Sequence, residues 1–292
     1  MPAGTLFCFG FGFTAQTLAR ALRGRGWRVA GTTRHADKVT EIEKAGAEPV
    51  IFTGDAPMAV EGRALLKGAS HILLSIPPSE DGDLVLRHHG TDIARMAGLR
   101  WLGYLSTTGI YGDHGGAWVD EETPPNPTTE RGERRLAAER GWRGLADAHD
   151  LPLHIFRLAG IYGPGRNALE SLKAGKAKRI VKEGQVFSRI HVDDIVNVLL
   201  ASMARPNPGR VYNVCDDEAA PPQDVVAHAA ALLGIDPPPE IPFEGADLSP
   251  MARSFYRDNK RVRNARIKTE LGITLAYPTH REGLKSLVAG MG

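Results

Sequence analysis

Two cysteines, Cys8 and Cys215, are all that this 292-residue chain contains. So few, so far apart, exclude a disulfide framework or a zinc ribbon and agree with a reducing compartment. Excess charge is scarce too: 36 Lys and Arg face 34 Asp and Glu, a net +2. Such a balance gives no general attraction to nucleic acid or membrane, so partners have to be argued from local clusters. No apolar run approaches the ~20 residues of a membrane-spanning helix, and no basic segment leads into a short apolar stretch near residue 1. The expected location is the cytoplasm. Repeats and low-complexity tracts are absent. Hydrophobic residues at 42% and charged residues at 24% are near the globular average and exclude disorder. The length suits one large domain or two modest ones.

Apolar runs of strand length recur at 5–9, 27–32, 49–52, 71–76, 101–106, 153–158 and 210–214. Helix-period stretches lie between them at 14–22, 38–44, 62–66, 84–96 and 131–148. The alternation predicts a parallel sheet, and strands apolar on both sides predict helices on both faces. The fold class is therefore α/β, a doubly wound parallel sheet. After Leu158 the rhythm changes to Gly160-Ile-Tyr-Gly-Pro-Gly165, a basic helix-like stretch, a helix over about 194–203, and Pro-rich loops at Pro221-Pro222, 237–239 and Pro242. A smaller C-terminal domain on the substrate side is expected there. The predicted boundaries are 1–163 plus about 188–217 for the nucleotide domain, and about 164–187 plus 218–292 for the smaller one.

The first crossover reads Gly10-Phe11-Gly12-Phe13-Thr14-Ala15. A strand that breaks at Gly-x-Gly and re-enters as a helix is a phosphate cradle of the Rossmann type. The first glycine allows the turn, the second admits a pyrophosphate, and the third position needs a small residue, here Ala15. The second strand should then meet the adenosine ribose about 20 residues on. There stand Thr33 and Arg34, the latter 22 positions past Gly12. An acid would favour NAD, whereas a guanidinium forks onto a 2′-phosphate, so the sequence favours NADP(H) over NAD(H). The alternative is an Arg merely solvated at a strand end. Asp55 either accepts from the adenine amino group or caps a turn. Ser75, Ile76 and Pro77, at the end of the fourth strand, complete the expected cofactor lining.

Further on run Leu105-Ser-Thr-Thr-Gly-Ile-Tyr-Gly112, Arg131-Gly-Glu-Arg-Arg135-Leu-Ala-Ala-Glu139, Arg157-Leu-Ala-Gly-Ile-Tyr-Gly-Pro-Gly165, Ser188-Arg-Ile-His-Val-Asp-Asp194 and Val211-Tyr-Asn-Val214. In this order they resemble the extended short-chain dehydrogenase/reductase superfamily, its NAD(P)-dependent epimerase/dehydratase group, over nearly the whole chain. Members use a Ser or Thr to hold the substrate oxygen, a Tyr as acid/base, and a Lys four residues later that binds the ribose and lowers the Tyr pKa. By this resemblance Thr107 takes the Ser/Thr position, the Tyr-x-x-x-Lys pair falls on Arg131 and Arg135, and an asparagine of the fourth helix falls on Arg87. The pattern is similar to the superfamily's atypical members, which keep the cofactor fold and lose the tyrosine. The resemblance also implies a homodimer through helices 84–96 and 131–148.

A guanidinium, with a pKa above about 12, cannot exchange a proton at neutral pH. Arg135 is then a candidate for holding the ribose or a phosphate, and Arg131 for binding an anionic substrate or an oxyanion; the other reading puts both on an exposed helix face. Candidate replacement acids are Tyr111, Asp113, His114 and Tyr162, with Tyr111 assigned by the resemblance to the structural frame. The expected chemistry has Thr107 orienting a carbonyl while Tyr162 or His114 exchanges the proton.

Other signals are weaker. Asp193 and Asp194 precede an apolar helix and read as an N-cap rather than, with His191, as metal ligands. His88 and His89 are adjacent and diverge by ~100° on a helix; no metal is expected. Ser106 lacks a Gly-x-Ser-x-Gly setting, which sets aside a serine hydrolase. Over 253–268 seven cations accompany one acid, Asp258, as a solvated face, a grip on an acidic substrate, or a nucleic-acid contact. Two functions follow: an NADP(H)-dependent epimerase/dehydratase-like or carbonyl-reducing enzyme acting on a small anionic molecule, or a non-catalytic NADP(H) sensor or scaffold.

Overall fold

The computed structural model describes residues 3–290. Strand β1 (Thr5–Phe9) leads into helix α1 (Phe13–Leu22), β2 (Arg28–Thr33) into α2 (Val39–Lys44), β3 (Glu48–Ile51) into α3 (Val60–Lys67) and β4 (His71–Leu74) into α4 (Leu84–Ala94). β5 (Trp101–Thr107) is followed by α5 (Glu130–His149), β6 (Leu153–Leu158) by α6 (Ala168–Lys173) and α7 (Val192–Ala204), and β7 (Val211–Val214) by α8 (Pro222–Leu233). Then come α9 (Pro250–Phe255), α10 (Ala265–Leu271) and α11 (His280–Ala289). The seven strands form one sheet in the order β7-β6-β5-β4-β1-β2-β3. β1 pairs in parallel with β2 and β4, β2 with β3, and β4 with β5. The order reverses at β1, the switch point where such sheets bind ligands.

β1 shows why the sheet needs cover on both sides. Successive side chains of a strand point to opposite faces, and Leu6, Phe7, Cys8 and Phe9 are all fully buried. Phe7 and Phe9 join a core that includes Leu66 of α3, Val85 and Ile93 of α4, and Trp142 of α5. On α7, the Ser202 hydroxyl accepts a hydrogen bond from Trp101 Nε1 (3.0 Å).

The chain divides into two compact units, Met1–Thr107 with Glu133–Arg157 and Val196–Tyr212, and Thr108–Gly132 with Leu158–Ile195 and Asn213–Gly292. Relative to the predicted boundaries, 108–132, 158–163, 188–195 and 213–217 belong to the second unit. These segments bond within that unit: Gly160 N–H donates to the Ser188 carbonyl (3.1 Å), Asp216 N–H to Arg189 (2.7 Å) and His114 N–H to Asn259 (3.0 Å).

Two local readings change. Pro221-Pro222 opens α8 instead of continuing a loop, because proline at the first helical position gives up an N–H that has no intrahelical partner; Gly234, at φ 67°, ends the helix. Asp193 and Asp194 fall inside α7 rather than capping it. His191 Nδ1 accepts the Asp193 N–H (3.2 Å), while the Asp194 carboxylate accepts from the amides of Ala276 (2.8 Å) and Tyr277 (3.0 Å).

Candidate functional site

In the first unit the chain leaves β1 at Gly10, whose φ of +84° favours glycine. Its N–H donates to Thr32 Oγ1 (2.7 Å) and that of Phe11 to the Thr32 carbonyl (3.0 Å), which staples the turn to β2. The Phe11 ring packs so closely on Gly31 that a Cβ there would lie 2.1 Å from it. Gly12 is the N-cap of α1; no side chain caps the helix and its first turn carries no acid. A Cβ on Gly12 would meet nothing within 4 Å, and the small Ala15 is fully buried. Free amides and the positive end of a ten-residue helix therefore face open space, the arrangement that receives a phosphate.

Around this cradle stand the other predicted cofactor residues. Thr14 is buried, Phe13 and Thr33 are half-buried, and Arg34 is exposed just past β2. Arg34 has no hydrogen bond or ion pair among the described residues. Asp55 is also exposed, its N–H donating to Thr53 Oγ1 (3.4 Å). Ser75 N–H donates to the Phe9 carbonyl (2.8 Å), which holds Ser75, Ile76 and Pro77 beside the end of β1. His88 and His89 serve the same loops: His88 Nε2 lies 2.9 Å from the Gly54 carbonyl, and buried His89 Nε2 accepts the Met58 N–H (3.1 Å). No cluster of three metal-ligating side chains occurs among the described residues.

At the end of β5, Thr107 is half-buried. Behind it the Ser106 hydroxyl donates to Glu139 Oε1 (2.5 Å), and Glu139 accepts from Arg157 through Nε (3.3 Å) and Nη2 (2.9 Å). This buried chain was missed as a contact; the signal was a cation inside an otherwise apolar strand, which demands a buried acid. Arg135, only 8% exposed, donates through Nη1 to the Leu105 carbonyl and stacks 5.7 Å from the Tyr104 ring centroid. Its buried Nε has no partner.

The remaining candidates belong to the second unit. Arg131 is exposed and its guanidinium lies 5.5 Å from the Phe255 ring centroid. His114 is half-buried, with Nε2 3.1 Å from the Tyr111 carbonyl. The Tyr111 hydroxyl donates to Asn213 Oδ1 (2.8 Å), a framework role. Asp113 accepts from the amides of Asn259 (2.7 Å) and Gly115 (3.2 Å), which hold its carboxyl below the usual range. Tyr162 has different company: its hydroxyl points at the Thr279 carbonyl (3.4 Å) and its ring meets His191 edge-on. Burial, aided by Asp216, pushes its pKa up. It shares no hydrogen-bond partner with His114.

The basic run is a set of pins. Arg253 donates to the Ala246 carbonyl (2.7 Å), Arg257 to Thr128 (3.3 Å), Lys260 to Gly112 (2.8 Å) and Arg261 to Gly116. Arg263 lies over Trp118, Arg266 pairs with Glu122, and Lys268 pairs with Asp217 (2.5 Å). Each of these cations already has an internal partner.

The strand order, the uncapped α1 and the cradle define a Rossmann fold. Residues 90–215 match the model of the NAD dependent epimerase/dehydratase family. A solved structure of a functionally unknown conserved protein from Silicibacter pomeroyi is 55% identical over 99% of both chains, with a TM-score of 0.90. The dTDP-glucose 4,6-dehydratase of Bacillus anthracis, solved with NAD, is 17% identical over 98% of this chain and 96% of its own, with a TM-score of 0.78. The dTDP-L-rhamnose 4-epimerase of Burkholderia thailandensis is 25% identical over 78% of this chain, and the match spans 60% of that relative's length. The chain thus carries a segment similar to the NAD dependent epimerase/dehydratase family within the fold that such enzymes share.

Proposed function

We propose that the chain is an NADP(H)-dependent enzyme of the epimerase/dehydratase type that acts on a small anionic substrate without the Tyr-x-x-x-Lys pair. Arg34 carries the cofactor choice, an exposed guanidinium without an internal partner among the described residues, where an acid would select the unphosphorylated ribose. The residues present fit the group: α1 offers uncapped amides and Arg135 a buried, orphaned Nε. When bound, the nicotinamide ring gives or takes a hydride.

Around it the chain's own groups bind and orient. The amides at Gly12 and Phe13 hold the pyrophosphate, Arg34 the 2′-phosphate and Asp55 the adenine amino group. Arg135 positions the ribose, and Thr107 donates its hydroxyl proton to the substrate oxygen. Arg131 binds substrate charge. His114 exchanges the proton; Tyr162 is unsuited because burial opposes its ionisation. The names of the relatives support a nucleotide sugar as the substrate class.

Titration of NADPH and NADH by fluorescence, followed by product analysis on dTDP- and UDP-sugars, tests this reading. His114→Gln should lower turnover by about 10² to 10⁴, and unchanged turnover would remove His114 from the chemistry. The presence of Arg at both 131 and 135 favours a second reading, a sensor that binds NADPH and converts no substrate. Tight NADPH binding with no product from any sugar nucleotide would favour it.

A further inference from the structure

A cavity of ≈ 310 Å³ lies within the second unit, and none of its lining residues is assigned to the nucleotide cradle. Its apolar wall includes Val225 of α8 and Leu284 of α11, and its polar lining includes Tyr162, Lys176, Arg189 and His280. Buried polar atoms in folded proteins nearly always have hydrogen-bond partners. Here they do not. His280 is 1% exposed and neither of its ring nitrogens has a hydrogen bond. Arg189 spends Nη1 on the carbonyls of Phe187 (2.8 Å) and Ala220 (3.1 Å), with no bond from Nε or Nη2 among the described residues.

We propose that this cavity binds the phosphate group of a small phosphorylated metabolite, with Arg189 and Lys176 as its cationic contacts and His280 as its hydrogen-bond partner. The choice of phosphate over carboxylate follows from the donors and acceptors. Arg189 needs acceptor oxygens, which both groups have. Neither ring nitrogen of His280 has a hydrogen-bond partner, so Nε2 is free to carry the ring proton and donate it. A phosphate presents three terminal oxygens, enough for the guanidinium, the Lys176 ammonium and the imidazole N–H together, whereas a carboxylate has two. Exposed Lys176 has no internal partner among the described residues. Burial raises Asp216 to about 8 against the pull of Arg189, and lowers Arg189 itself. Glu218 is occupied by Arg281.

The test uses the full chain saturated with NADPH, or the Arg34→Ala variant if NADPH does not bind, titrated with inorganic phosphate and separately with acetate at constant ionic strength. Imidazole ¹⁵N signals are followed, with His280 assigned from its loss in His280→Gln. Phosphate should shift the His280 signal saturably, acetate should not, and Lys176→Gln should weaken phosphate binding about tenfold. Lys176 is exposed, so this variant leaves the fold intact, and its unchanged thermal midpoint without phosphate verifies that. A His280 signal that is unmoved by phosphate, moved equally by acetate, or equally sensitive in Lys176→Gln would overturn the proposal. The readout involves neither turnover nor the cradle, so its failure is separate from failure of the proposed function.

Discussion

Arg157 is a cation in the middle of a strand whose every residue is buried. It is tolerated because Glu139 takes it through two nitrogens and passes the interaction on to Ser106, the residue before Thr107. Glu139→Ala removes the carboxylate that faces that buried charge, and a loss of about 3–5 kcal/mol is expected in urea unfolding; a loss under about 1 kcal/mol would show that the pair holds little. Both residues are visible in the sequence, yet their contact depends on where α5 crosses the sheet. His154, fully buried, accepts the Asn207 N–H at Nε2 (2.8 Å), and burial holds its pKa down at about 4. The folded chain thus favours the neutral ring. Its contribution is complete above pH 6.5 and is lost as pH falls towards 4. His154→Gln, which keeps an acceptor and does not titrate, should flatten the acid limb of the stability curve by about 1–3 kcal/mol. His71 and His280 are lowered in the same direction, so part of the slope should persist.

Elements were legible where one physical signal dominated. The inner strands of the sheet announce themselves as apolar runs, since a strand buried on both faces cannot alternate with polar residues, whereas β3 at the edge keeps Glu48 and Ile51 exposed. α8 was not legible, because its two prolines resemble a loop until the first of the twelve helical positions is known to be Pro222. α4 shows how elements are tied together. Asp83 Oδ1 accepts the amides of Val85 and Leu86 (3.0 Å each), and Oδ2 accepts Nε1 of Trp142 on α5 (3.0 Å). Asp83→Ala removes a cap and a buried indole's partner together; a loss of about 1–3 kcal/mol is expected by thermal or chemical unfolding. The turn between β1 and α1 depends equally on β2: Gly31→Ala puts a methyl group against Phe11, at an expected cost of about 1–3 kcal/mol together with weaker cofactor binding. Wild-type stability in that variant would mean that the ring moves aside freely.

Across the whole molecule, the alternation of strands and helices and a nearly balanced charge pointed to an α/β protein without polyanion chemistry. The contacts of the basic run were invisible at that level. Arg266 meets Glu122 and Lys268 meets Asp217 across long stretches of chain, and a linear reading cannot tell a pinned cation from a free one. The same limit separated Tyr162 from His114. Arg34 differs, since position along the chain alone puts it just past β2, and the fold leaves it without an internal partner among the described residues. Its charge is therefore the simplest handle on the proposed cofactor. The most direct measurement is the affinity of the wild type and of Arg34→Ala for NADPH and NADH, by nicotinamide fluorescence at fixed salt. A charge-assisted bond of about 1.5–3 kcal/mol corresponds to a ten- to hundredfold preference for NADPH, abolished in the variant with NADH binding unchanged. Equal affinity of the wild type for the two cofactors, unmoved by Arg34→Ala, would contradict the assignment.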